Sequence, residues 1–123
     1  MPFEWKIDTD RKLITLTGHG RGDFEEGAAT MRAVARDPDY DPSYPVLADL
    51  RESEYTPSFD ETRKFADVML EMGTYRGRLA LVVSTGVQFG TGRQLSVFGE
   101  SQGRKIEVFT GVRNALRWLE RVE

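Results

Sequence analysis

Apolar residues recur along this chain with two periods. Phe3-Glu4-Trp5-Lys6-Ile7-Asp8 alternates and puts Phe3, Trp5 and Ile7 on one side. Lys12-Leu13-Ile14-Thr15-Leu16-Thr17 follows after Asp8-Thr9-Asp10-Arg11. Two period-two runs around an Asp-rich turn predict an antiparallel hairpin, with the more polar run, residues 3–8, at a sheet edge. Gly18-His19-Gly20-Arg21-Gly22 then breaks the alternation. Asp23 and Glu26 stand at capping-box spacing, and Phe24, Ala28, Met31 and Ala35 fall on one helical stripe that Asp37-Pro38 ends.

Residues 45–50 are apolar on both faces, as a central strand covered on two sides requires. The polar loop Arg51-Glu52-Ser53-Glu54-Tyr55-Thr56-Pro57 leads to a second capping box, Ser58 with Glu61. The helix it opens carries Phe59, Thr62, Phe65, Ala66, Met69 and Met72 on one face and Asp60, Arg63, Lys64, Asp67 and Glu71 on the other, with Gly73 as its C-cap. Residues 78–84 form a second strand without a polar face. Residues 87–101 read as a helix weakened by Gly90, Gly92 and Gly99, each costing about 1 kcal/mol against Ala, so that Phe89, Leu95 and Phe98 must supply tertiary support. Gly103 closes that unit and residues 105–109 alternate as a strand. Thr110 is placed to cap a last helix, with Val112, Ala115, Leu116 and Leu119 on one face and Trp118 beside them.

Alternating strand and helix units with right-handed crossovers predict one α/β domain over residues 1–123: a single mixed, mainly parallel five-stranded sheet with an antiparallel N-terminal edge strand and four helices. A strand, a loop and a helix N-terminus in residues 45–73 place polar groups at the carboxyl end of that sheet, where such folds keep their sites.

Composition narrows the chemistry. The chain has 123 residues, 39% hydrophobic and 30% charged, with no run long enough to span a membrane and no signal-peptide pattern at its start, which predicts a cytoplasmic globular protein. It has no cysteine and one histidine, which excludes disulfides, thiolate metal sites, a Cys nucleophile and multi-His metal sites. The net charge of -3 divides into -7 over residues 1–61 and +4 over residues 62–123, complementary halves that favour self-association or a charged protein partner. Nucleic acid is not an expected partner at this balance.

Val46-Leu47-Ala48-Asp49-Leu50 with its loop and Ser-capped helix, then Leu79-Ala80-Leu81-Val82-Val83, then Ile106-Glu107-Val108-Phe109 with Ala115-Leu116-Arg117-Trp118-Leu119, resembles the SpoIIAA-like group. That group contains the STAS domains of anti-sigma-factor antagonists and small stand-alone STAS/SEC14-type proteins. The resemblance runs through the whole chain by element order. It implies a non-enzymatic bacterial module that acts by protein association, as a homodimer or with a regulatory partner, or alternatively a carrier of a small molecule or lipid. In the antagonists a phosphorylatable serine opens the helix after the central strand, and that place falls on Ser58. Its context here, Thr56-Pro57-Ser58-Phe59-Asp60, lacks the Asp-Ser-Ser-Gly of the antagonists, and Ser58 is first a helix cap.

The strand ends would gather His19 and Arg21, then Arg51, Ser53, Tyr55 and Ser58, then Ser84, Thr85, Gln88 and Thr110 into a rim suited to an anionic ligand or a partner. Phe89, Phe98 and Trp118 are candidates for an apolar pocket. Gly86 to Gly92 lacks both dinucleotide and P-loop spacing, His19 has no Ser or Asp tied to it by motif, and no carboxylate pair suits acid and base. No cofactor and no catalytic residue is expected.

Overall fold

In the computed structural model, which describes residues 2–72, 78–84, 86–101, 103 and 105–121, the elements follow one another in the order the pattern predicts. They are β1 (Phe3–Asp8), β2 (Leu13–Gly20), α1 (Phe24–Arg36), β3 (Val46–Ser53), α2 (Phe59–Met72), β4 (Leu79–Val82), α3 (Gly86–Ser101), β5 (Ile106–Phe109) and α4 (Val112–Leu119). The five strands lie side by side in chain order, β1 antiparallel to β2 and the rest parallel. The hairpin turn is held by Asp8, whose Oδ1 accepts from the N–H groups of Asp10 and Arg11 at 3.1 and 3.0 Å.

Strand periodicity divides the core in two. Ile14, Val46, Ala48, Leu79, Leu81 and Ile106 face one side, with Val34 of α1 and Ala66 and Met69 of α2; Leu95 and Phe98 of α3 pack against them. Leu13, Leu47, Ala80 and Val82 face the other side and meet Ala115 and Leu119 of α4. Each inner strand is therefore apolar at every position where a helix covers it, and polar where α4 does not reach, at Asp49 and Arg51.

α3 lies close to the sheet because its buried stripe is small rather than large: Gly92, Ser96 and Gly99. A Cβ on Gly92 would meet Val108 Cγ2 at 3.1 Å. The buried Ser96 hydroxyl donates to the Ile106 carbonyl at 2.6 Å. Two of the glycines that weaken this helix in isolation are thus what lets it dock. On α1 the buried residues are Gly27, Ala28, Thr30 and Val34, so the stripe lies a little round from the predicted one, and Phe24, Met31 and Ala35 flank it half-buried. On α2 the inward positions are Thr62, Ala66, Val68 and Met69, while Phe59, expected on the packed face, is 62% exposed. It stands at the start of α2 and meets the ring of Phe98 edge-on, at a 5.6 Å ring separation. Gly73, the expected C-cap, lies outside the described residues.

One other expectation is corrected. The last helix is capped by the backbone of Gly111, with no side-chain cap bond, and Thr110 is exposed at the end of β5. At the C-terminus of α4, Arg78 Nη1 donates to the Trp118 carbonyl at 2.6 Å while its guanidinium lies 5.1 Å over the Trp118 ring.

The two kinds of glycine in α3 predict opposite responses. Gly90 has open space where a Cβ would stand, so Gly90→Ala should raise stability by about 0.5 to 1 kcal/mol through helix propensity. Gly92→Leu should lower it by about 1 to 3 kcal/mol through overpacking against Val108. Urea midpoints at unchanged m-value check both.

Candidate functional site

The carboxyl ends of β2 and β3 are longer than the sequence pattern implies. Gly18-His19-Gly20 does not break β2, and Arg51 to Ser53 belongs to β3, because the two strands go on pairing, His19 with Glu52 and Gly20 with Ser53, after a register shift between Thr17 and His19. Gly18 is small because a Cβ there would meet Leu50 Cδ2 at 3.1 Å and Phe3 Cε1 at 3.3 Å. The chain turns away only at Gly20, whose φ of +61° lies in the left-handed region.

This extension distributes the rim residues over separate surroundings. His19 sits on the β1 and β2 edge with its Nε2 3.6 Å from Glu4 Oε1, and Arg21 is exposed beyond it. Arg51 forks onto Asp49, Nε to Oδ1 at 2.9 Å and Nη2 to Oδ2 at 2.8 Å, in a polar hollow shared with Thr17, Gly18 and Glu52 on the face that α4 leaves open. Hydrogen bonding from Arg51 holds the Asp49 carboxyl below its ordinary pKa, and the same bond raises that of Arg51. The guanidinium is thus engaged within the strand. Ser84 and Gln88 form a strut: Gln88 Oε1 accepts from the Ser84 N–H at 2.9 Å, and its Nε2 donates to the carbonyls of Leu50 and Ser53 at 3.2 and 3.0 Å. The Ser84 hydroxyl reaches the Arg51 carbonyl at 3.2 Å. Thr85 lies outside the described residues, and Thr110 stands at the end of β5. Ser53, Ser84 and Gln88 are brought together; His19, Arg51 and Thr110 do not converge with them on one pocket.

Ser58 is a cap in full. Its Oγ accepts from the Glu61 N–H at 3.1 Å and its own N–H donates to Glu61 Oε1 at 3.0 Å, the reciprocal pair of a capping box. Thr62 Oγ1 donates to the Ser58 carbonyl at 2.8 Å. Phe65, one turn further on, packs at 4.7 Å on Phe24 and at 6.5 Å on Tyr55, which draws the loop down between α1 and α2.

Beneath that loop lies a cavity of about 160 Å³ between the sheet and helices α1, α2 and α3. Its walls are almost wholly carbon, from Leu16, Ala48 and Leu81 on the sheet to Met31, Phe65 and Leu95 on the helices, with Ser53, Tyr55, Thr56 and Pro57 at one end. None of Phe89, Phe98 and Trp118 lines it: Phe98 packs at the margin of the core and Trp118 lies against Phe109 on the opposite face. The Tyr55 hydroxyl oxygen is buried without a hydrogen-bond partner. Burial first, then the neighbouring Glu61 and Asp23 carboxylates, push its pKa up, so the phenol is neutral. Glu61 comes close enough to act on the phenol, but its carboxylate does not complete a well-formed hydrogen bond there. Among the described residues no group of three or more His, Asp or Glu could hold a metal ion, and no helix is long and apolar enough to cross a membrane.

Five strands in this order, antiparallel only at the N-terminal edge, with their four helices, make a SpoIIAA-like fold. The chain is similar to an uncharacterised protein of the DUF3478 family with a SpoIIAA-like fold from Shewanella loihica PV-4, at a TM-score of 0.65 and 19% identity over 95% of this chain and 93% of that one. It is also similar to an anti-sigma factor antagonist from Mycobacterium paratuberculosis, at a TM-score of 0.62 and 16% identity over 97% and 95% of the two chains. No protein-family model matches the chain, and no curated protein is similar to it in sequence.

The capping box sets one expectation. Ser58→Ala should lower stability by about 1 kcal/mol, while Ser58→Asp, which keeps an acceptor for the Glu61 N–H, should stay within about 0.5 kcal/mol of the parent. Chemical denaturation separates the two. The second concerns acid. Asp49 has a depressed folded-state pKa, so its contribution is complete above its ordinary value of 3.8 and is lost as pH falls through the lower folded value. Asp49→Asn should therefore melt below the parent at pH 7, and the gap should close in thermal scans carried below pH 3.8.

Proposed function

We propose that this chain is a non-enzymatic STAS-like module of the cytoplasm that regulates another protein by binding it through α2 and α3. One observation carries the reading. Among the described residues, four of the five exposed large hydrophobic side chains, Phe59, Leu70, Val87 and Val97, belong to these two helices, which pack on one another. Single exposed apolar residues are ordinary, but their concentration on one helix pair marks a surface built to be covered. The fifth, Trp5, is at the far edge of the sheet and donates its indole N–H to Asp37.

The fold supports a protein as the occupant, since the anti-sigma factor antagonist it resembles is named for opposing another protein. Ser58 stands at the start of α2 beside Phe59, where a phosphate would meet free helix N–H groups but also displace the Glu61 carboxylate from its cap. A change of charge at Ser58 would thus alter the partner surface at its rim.

The test is in vivo cross-linking in the native host followed by quantitative recovery, with sedimentation of the purified protein. Proteins recovered with the parent and with Trp5→Ser should fall tenfold or more with Phe59→Glu/Val97→Glu, a loss of about 1.4 kcal/mol or more, and should change with Ser58→Asp. A parent that recovers no specific protein sinks the reading, as does a double variant that recovers the same set. A concentration-dependent dimer lost in the double variant would assign the face to a second copy instead.

A further inference from the structure

The cavity beneath the β3 to α2 loop is independent of that surface. Protein interiors are filled to crystal-like density, so a partly open apolar pocket of about 160 Å³ that reaches into the core is large for a chain of this size. An apolar cavity of roughly 150 Å³ stays dry and takes up a ring such as benzene. This one differs from a packing defect in a single respect. At its loop end it presents one buried polar atom with no partner, the Tyr55 hydroxyl, whereas buried hydroxyls in native structures are almost always bonded.

We propose that the cavity is a binding site for a small uncharged amphiphile, an alcohol, ketone or ester whose apolar body of about six to eight carbons lies between sheet and helices while its oxygen bonds the Tyr55 hydroxyl. The walls select the body. Ala48 lies on the sheet side of the void, opposite the flexible side chains of Met31 and Met69. The surroundings of Tyr55 select the head. Glu61 and Asp23 set a negative field at the phenol, which disfavours a carboxylate head. An ammonium head would leave its hydration for walls that are almost wholly carbon, a cost that two carboxylates at the loop end, each already accepting a backbone N–H, only partly offset. A neutral oxygen accepts from or donates to Tyr55 without that cost.

The test uses octan-1-ol and 2-octanone as neutral probes, octanoate and octylamine as charged ones, and benzene as a headless one. Binding is read from the methyl resonances of Met31 and Met69 at pH 7. The neutral probes should shift both methyls saturably, and the charged ones should bind about fivefold or more weakly. Tyr55→Phe, which keeps the ring, should weaken 2-octanone about fivefold and leave benzene unchanged. Ala48→Leu should fill the void and abolish every shift. The proposal is overturned if no probe moves the methyls, which would leave Tyr55 to a water molecule, or if Tyr55→Phe binds 2-octanone as the parent does. Charged probes that match the alcohol would overturn it too, as would a folded Ala48→Leu that still binds.

Discussion

Burial of β3 and β4 on both faces is the constraint from which the other elements take their places. Val46, Leu47, Ala48 and the run from Leu79 to Val83 leave neither strand a face that can meet water. α1, α2 and α3 cover one side, and α4 alone must cover the other. Arg78 explains how eight residues of α4 suffice. Standing just before β4, it bonds the Trp118 carbonyl near the end of α4 and stacks on the Trp118 ring, tying the end of the helix to the start of the strand it shields. Where α4 ends its cover, the strands turn polar, and Asp49 and Arg51 satisfy each other in the open hollow.

What could be read from residue order follows the range of each interaction. Capping boxes and hairpin turns are made within four residues, so Asp8, Asp23 and Ser58 were legible with their partners. The doubly apolar strands were legible because burial on two sides excludes polar residues. The ends of β2 and β3 were not, since a parallel pair is held by backbone groups and needs no apolar side chain to continue past Thr17 or Leu50. Gly18 reads as a turn residue by type, yet it is set by the approach of Phe3 and Leu50, residues distant in sequence. Phe59 fits the helical stripe by spacing, but at the first position of α2 it is largely exposed and meets the ring of Phe98 edge-on.

The cavity was the least legible feature, for a related reason. A void is what several elements together fail to fill, and no local pattern records it. Its signs lie scattered in the size of residues on different elements: Ala48 between Val46 and Leu50 on the sheet face, and Gly92 on the helix above Leu81. Phe98 and Trp118, selected by type as pocket formers together with Phe89, went instead to the margin of the first core and to the second, as large aromatics do when apolar area is the first need.

One carboxylate connects the helix cap to the cavity. Glu61 accepts from the Ser58 N–H through one carboxylate oxygen at the start of α2, and its charge also acts on the Tyr55 phenol at the cavity's end. Its second oxygen is not taken up by that cap, yet the phenol is left without a completed hydrogen bond. A single side chain thus stands both at the cap of α2 and at the polar end of the cavity, and its negative field helps to keep the phenol neutral.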